Sequence, residues 1–244
     1  MIQQALFLET TIQIERVVGS RARQLELRQE LSPFRLVTSR YVLGEYIRTL
    51  VKDAVRLHRL VAENAYLDDV MTAIGQYPNK REASRMALIW GAVMRSVHPE
   101  RSADARADLL DRLARVIEIS LLNRFMAGID EMIDVSACGL AVERPEIWHP
   151  LAAEPPGEEI YRLRSQCVRH VRECDLAERM AGWRQELEAL AAGLARESDS
   201  ALVRIGGLCT KILQDPTVAR GRNCTWYLAD LVIALALPED IPLY

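Results

Sequence analysis

The chain contains little lysine and has no long apolar run. Only Lys52, Lys80 and Lys211 are lysines, and the 31 basic residues are outnumbered by 34 acidic ones, which gives a net charge of −3. This balance excludes a protein that binds nucleic acid through a uniformly basic surface. No apolar stretch approaches the roughly 20 residues of a membrane-spanning helix, and the first residues lack the sections of a signal peptide. We therefore expect a cytoplasmic protein that does not bind membranes.

Cysteine and histidine are also scarce. The five cysteines form no C-x-x-C pair, and the four histidines are scattered along the chain. These patterns favour reduced thiols over a disulfide framework and argue against a zinc site. Of the 244 residues, 50% are hydrophobic and 27% are charged, as in a folded globular protein. That length is sufficient for a core that needs no disulfide or metal ion.

The first 65 residues alternate between strand and helix patterns. Residues Ala5–Leu8 form a short apolar run that ends at Glu9, and the helix predicted next is interrupted near Gly19. A second apolar run, Phe34–Thr38, ends in a Thr-Ser pair that caps an amphipathic helix. The order strand, helix, strand, helix predicts a short parallel β-sheet flanked by helices, and thus an α/β fold.

The middle of the chain is mostly helical in pattern. Residues Arg81–Val97, Ala103–Met126 and Glu158–Ala195 show helical periodicity, and a proline-rich loop separates the last two. A further helix is predicted to begin after Ser198 or Ser200. Helices therefore dominate the predicted structure.

Two carboxylates lie in apolar sequence surroundings at opposite ends of the chain. Glu9 ends the first apolar run, and Asp230 is the only charged residue of the segment 226–237. A helix that is apolar on most faces is buried, so a carboxylate on it must be hydrogen-bonded, neutralised or bound to a metal ion. The same patterns also allow a solvated Glu9 at a helix start, and a pair between Asp230 and Arg220 or Arg222.

Three stretches of the chain resemble motifs of the PIN-domain family of metal-dependent nucleases. ALFLETTIQI resembles the opening strand of that family, LVTSRYVLGEYIRTL its second strand and helix, and LADLVIALALPEDIPLY its late helix. On this resemblance Glu9, Glu45 and Asp230 take the first three acidic positions, which hold the metal ion and carry out catalysis.

The resemblance implies a ribonuclease that hydrolyses RNA phosphodiester bonds with Mg²⁺ or Mn²⁺. Hard cations bind carboxylate oxygens, activate water and neutralise charge on the phosphate. Thr10, Thr11 and Ser39 would orient metal-bound water or the scissile phosphate. Because the carboxyl ends of parallel strands meet at one edge of a sheet, we expect the carboxylates to converge there.

The chain departs from the family pattern at two points. Glu9 is one methylene longer than the usual aspartate, which changes its reach toward an ion that requires near-octahedral geometry. The sequence stops at Tyr244, where the family's next strand would present a fourth acidic or amide residue. We predict that residues 1–65 and 199–244 together form the PIN-like core, and that residues 66–198 form a mostly helical insertion.

Arginine side chains are the expected contacts to RNA phosphates. Arg162, Arg169 and Arg172 fall near one face of the helix predicted from Glu158. Four more arginines follow the first motif, namely Arg16, Arg21, Arg23 and Arg28. Acidic neighbours leave a solvated helix face as the alternative for the first group.

Two alternatives to the ribonuclease remain open. One is a weak or inactive PIN-like scaffold whose insertion binds a protein partner. The other is a helical interaction protein unrelated to nucleases, in which Glu45 is an exposed residue paired with Arg48. A parallel sheet that ends before its last strand leaves an unpaired edge, so we also predict a second copy of the chain or another protein at that edge.

Overall fold

The structure is a computed structural model, which describes residues 4–64, 66–94, 105–133, 146–147, 161–162, 176–220, 228–237 and 241–244. The strands are β1 (Ala5–Phe7), β2 (Arg35–Ser39), β3 (Glu131–Ile133), β4 (Glu146–Ile147) and β5 (Tyr161–Arg162). The helices are α1 (Thr10–Val18), α2 (Arg21–Leu31), α3 (Arg40–Tyr46), α4 (Lys52–Glu63), α5 (Leu67–Gly75), α6 (Lys80–Met94), α7 (Ala105–Arg115), α8 (Leu121–Met126), α9 (Leu176–Gly182), α10 (Arg184–Leu194), α11 (Ser200–Gln214) and α12 (Leu228–Ala236). Two π-helical stretches, Ile47–Val51 and Val116–Ser120, join α3 to α4 and α7 to α8.

A parallel sheet in the order β1–β2–β3 lies at the centre of the amino-terminal region. Phe7 of β1 pairs with Val37 of β2, which in turn pairs with Glu131 of β3. The predicted α/β character, with a short parallel sheet in a helix-dominated chain, is confirmed. The helix break near Gly19 is also confirmed, because α1 ends at Val18 and α2 begins at Arg21.

The two faces of the sheet contact different helices because side chains alternate along a strand. Leu6, Leu8 and Leu36 form a small cluster with Leu27 and Leu31 of α2. On the other face, β1 and β2 contribute to the main core, which also contains residues of α1, α3, α4 and most later helices. No helix among the described residues is long and apolar enough to cross a membrane.

Tyr46 joins the two helices that contain π-helical stretches. Its hydroxyl donates a hydrogen bond to the carbonyl oxygen of Leu121 at 3.0 Å, and its ring centroid lies 4.8 Å from that of Phe125. Burial raises the pKa of the Tyr46 hydroxyl above its ordinary value, while the charges of Arg124 and Arg16 act in the opposite direction. The buried tyrosine therefore remains a neutral donor that fixes α8 against α3.

The helical middle of the chain contributes to the sheet, which the sequence did not indicate. β3 lies within residues 66–198, and α6, α7 and α8 share the main core with β1 and β2. The predicted domain boundaries stay a prediction. The helix predicted from Glu158 is wrong at Tyr161–Arg162, which form β5 and pair antiparallel with β4.

The prediction of an unpaired sheet edge does not hold at β1, whereas no strand among the described residues pairs with the outer side of β3. The carboxyl-terminal residues run parallel to β1, with Leu243 opposite Phe7. Phe7 donates its amide hydrogen to the carbonyl oxygen of Pro242 at 2.9 Å, and Tyr244 donates to the carbonyl oxygen of Phe7 at 2.9 Å. The chain itself therefore satisfies this edge of the sheet, and no partner is needed to complete it.

A buried carboxylate ties α4 to α6. Asp53 is 1% exposed and accepts hydrogen bonds from Arg85 and Arg56, while Arg56 also donates to Glu82. Burial raises the pKa of Asp53, and the hydrogen bond from Arg85 opposes that shift. Two carboxylates and two guanidinium groups thus neutralise one another at the contact between the two helices.

Replacement of Asp53 tests this network. We expect Asp53→Ala to lower the free energy of unfolding by about 3 kcal/mol, because Arg85 and Arg56 lose their shared acceptor in a partly buried place. Glu188→Ala removes an exposed partner of Arg184 and is the matched control, with an expected change within about 0.5 kcal/mol. Urea unfolding measures both values, and equal small losses would contradict a structural role for the network.

Candidate functional site

Glu9 lies at the carboxyl end of β1, as its sequence position predicted. It occupies the N-cap position of α1 with extended backbone dihedral angles, but its side chain forms no capping hydrogen bond. The side chain is half-buried. The position of Glu9 at the start of α1 remains compatible with the alternative that the helix dipole favours its charge there, although it makes no capping hydrogen bond.

Glu45 of α3 is brought to the same end of the sheet by a hydrogen bond. The hydroxyl of Thr10 donates to Oε2 of Glu45 at 2.6 Å, and Thr10 is only 6% exposed. Because Thr10 directly follows Glu9, this contact places the second predicted carboxylate against the residue next to the first one. A carboxylate has a second oxygen, which can accept from or coordinate another group.

Two more hydroxyl groups hold the backbone at this end of the sheet. Thr38 donates to the carbonyl oxygen of Leu8 at 3.0 Å, and Ser39 accepts the amide hydrogen of Val42 at 3.3 Å as the N-cap of α3. Both side chains are fully buried. Ser39 therefore fixes the start of α3, whereas Thr11 is exposed on α1.

Asp230 lies in α12, and the structure describes the backbone at this position but not the side chain. α12 contacts α3, the helix that carries Glu45. Leu231, Val232 and Ile233 are buried in the main core, as the apolar pattern predicted. The carboxyl-terminal helix is thus brought to the same region of the fold as the two amino-terminal carboxylates.

Arg220, considered as a partner of Asp230, forms an ion pair with Glu178.

The arginines proposed to bind RNA are not brought together by a helix. The backbone at Arg162 belongs to β5, and Arg169 and Arg172 lie outside the described residues. Among the arginines that follow the first motif, Arg23 forms ion pairs with several glutamates of α1 and α2.

The ion pairs of the described residues do not include Glu9 or Glu45. Two half-buried carboxylates without a cationic partner favour oxygen-binding ions such as Mg²⁺ or Mn²⁺ over softer metals. No group of three His, Cys, Asp or Glu side chains that could hold a metal ion occurs among the residues searched, which exclude the Asp230 side chain.

Comparison of the chain with protein-family models, with curated proteins and with solved structures found no match. A functional assignment therefore rests on the residues and contacts described above.

Sequence reasoning did not single out Arg124, which lies with Arg16 close enough to the Tyr46 hydroxyl to affect its pKa. Arg124 is one of many helical arginines, and no local pattern distinguishes it. Its position depends on the packing of α8 against α1, which joins segments more than 100 residues apart.

The hydrogen bond between Thr10 and Glu45 is testable by a double-mutant cycle. We expect Thr10→Val to lower the free energy of unfolding by about 1–2 kcal/mol, because the Glu45 carboxylate loses a buried donor. Thr10→Ser keeps the hydroxyl and should restore most of this loss. Urea unfolding of Thr10→Val, Glu45→Ala and the double variant should give a coupling energy of about 1 kcal/mol. A coupling energy of zero would contradict the contact.

Proposed function

We propose that the chain is a metal-dependent nuclease of the PIN-like type that hydrolyses phosphodiester bonds in RNA. The observation that supports this proposal best is the hydrogen bond between Thr10 and Glu45. It joins the residue beside Glu9 to a carboxylate 35 positions later in the sequence, at the carboxyl end of a parallel sheet. Ligand sites of open parallel sheets lie at this end of the strands.

Glu9, Glu45 and Asp230 would hold Mg²⁺ or Mn²⁺ in this site. When bound, the ion would lower the pKa of a water molecule and neutralise charge on the scissile phosphate. Thr10 fixes the rotamer of Glu45 through one carboxylate oxygen, so the other oxygen is presented in a defined direction. Thr38 holds the two strand ends together beneath these residues.

RNA is favoured over DNA as the substrate by the resemblance to the PIN-domain family. The alternative is an inactive scaffold whose partner covers an unpaired sheet edge. That argument does not apply at β1, because residues of the same chain cover its edge. Association with another protein through the helices stays a prediction.

A cleavage assay tests the proposed function. We expect a mixed pool of structured and single-stranded RNA to be cleaved with Mn²⁺ or Mg²⁺ and to remain intact with EDTA. Glu45→Gln and Asp230→Asn should each lower the cleavage rate at least about 100-fold, because each removes a charged metal ligand. Glu188→Gln changes an exposed carboxylate of α10 and should leave the rate unchanged. Folded wild-type protein that cleaves no RNA with either metal would contradict the proposal.

The length of Glu9 gives a second functional prediction. Glu9→Asp keeps the carboxylate on the shorter arm that the family pattern contains, so metal-dependent cleavage should persist. Glu9→Gln keeps the length but removes the charge, so cleavage should fall at least about 100-fold. Rates measured over a Mn²⁺ titration separate weaker metal binding from slower chemistry. Equal activity of Glu9→Gln and wild type would remove Glu9 from the site.

A further inference from the structure

An arginine-lined cleft lies at the end of the sheet opposite Glu9. It has a volume of about 740 Å³ and lies between α1, α2, the start of β2 and the turn after α8. Its polar lining includes Arg16, Arg28, Arg124 and Asp130. This volume falls within the range of sites that bind small organic ligands.

The cleft carries more positive than negative charge. Three guanidinium groups line it against one carboxylate, and that carboxylate is engaged, since Oδ2 of Asp130 accepts the amide hydrogen of Leu36 at 2.7 Å. Within the described residues, Arg16, Arg28 and Arg124 form no ion pair with a carboxylate. A cluster of unneutralised arginines at a concave surface favours an anionic ligand.

One side chain and one backbone carbonyl group hold the guanidinium of Arg16 in place. Its guanidinium donates to Oε1 of Gln13 at 2.6 Å and to the carbonyl oxygen of Ala127 at 2.7 Å, both neutral acceptors. Gly128 has a φ of +76°, and a Cβ atom there would lie 3.4 Å from the Arg16 guanidinium. The glycine thus permits the turn after α8 to approach the arginine closely.

Burial makes the position of Arg16 costly in the absence of an anion. Burial lowers the pKa of its guanidinium, which shows that the charged form is partly desolvated. Arg124 lines the same cleft as Arg16, so a second positive charge lies in this part of the molecule. A bound anion would compensate the lost hydration of Arg16.

The cleft also has an apolar part of its lining. It is formed by Val17 of α1, Leu31 of α2, Phe34 and Leu36. Phe34 is half-buried, so part of its ring remains accessible to a ligand. An aromatic ring beside a cationic cluster suits a molecule that has a planar ring and an anionic group.

We propose that this cleft binds a nucleotide, with the phosphate against Arg16, Arg124 and Arg28 and the base against Phe34. The nucleotide is either free or one unit of an RNA strand. The cleft contains neither Glu9 nor Glu45, and Arg16 lies about 10 Å along α1 from Glu9. The site is therefore distinct from the candidate metal site, and its existence does not depend on nuclease activity.

Binding measurements in EDTA test the proposal without any metal-dependent cleavage. Calorimetric titrations of the full chain with AMP, adenosine and inorganic phosphate measure the contributions of the two parts of the ligand. A fluorescently labelled single-stranded RNA measures binding of a strand. We expect AMP to bind more tightly than either adenosine or inorganic phosphate, because only AMP has both a phosphate for the arginines and a base for Phe34.

Substitutions locate the binding site. Arg124→Gln and Arg28→Gln change exposed side chains that form no ion pair with the described carboxylates, and together they should weaken AMP binding at least about 10-fold. Arg16→Gln should have a similar effect, whereas Arg204→Gln, which removes the same charge from an exposed face of α11, should have none. Loss of RNA binding in the same variants would assign the cleft to a strand, and unchanged RNA binding would assign it to the free nucleotide.

Three outcomes would overturn the proposal. The first is that AMP does not bind to folded wild-type protein. The second is that inorganic phosphate binds as tightly as AMP, which would show that Phe34 has no role in binding. The third is that Arg124→Gln combined with Arg28→Gln binds AMP as tightly as Arg204→Gln does. None of these outcomes depends on whether the protein cleaves RNA, so failure of this proposal is distinguishable from failure of the proposed nuclease.

Discussion

The parallel pairing of β1 with β2 is the constraint on which the rest of the structure depends. It places the carboxyl ends of both strands at one edge, so that Glu9 and the start of α3 become neighbours. The side chain of Thr38 reinforces this pairing through the carbonyl oxygen of Leu8, and Thr10 extends it to Glu45. The position of Glu45 near Glu9 therefore follows from strand topology and two buried hydroxyl groups.

The sequence predicted those features that local patterns encode. The apolar runs predicted β1 and β2, and the Thr-Ser pair predicted the cap of α3. The apolar segment around Asp230 predicted α12. β3 was missed because its three residues carry no pattern of their own and become a strand only by pairing with β2, more than 90 residues earlier. The pairing of Leu243 with Phe7 was missed for the same reason, since it joins the two ends of the chain.

Unbalanced charge distinguishes the two candidate sites from the structural parts of the molecule. Asp53 is buried with arginine partners that neutralise it inside the protein. Among the described residues, Glu9 and Glu45 form no ion pair with an arginine, and Arg16 and Arg124, which share a cleft with Asp130, form none with a carboxylate. Burial of charge is costly unless a partner compensates it. This difference is the basis of the two proposals, a cation at the carboxylate pair and an anion at the arginine cluster.

The most direct test of the metal site is the anomalous diffraction of a crystal that contains Mn²⁺. We expect a manganese peak at the carboxyl end of β1, about 2.1 Å from carboxylate oxygens of Glu9, Glu45 and Asp230. We also expect this manganese peak to be lost in Glu45→Gln. Carboxylates that point away from one another, with no manganese between them, would contradict the central claim that these three residues form one metal site.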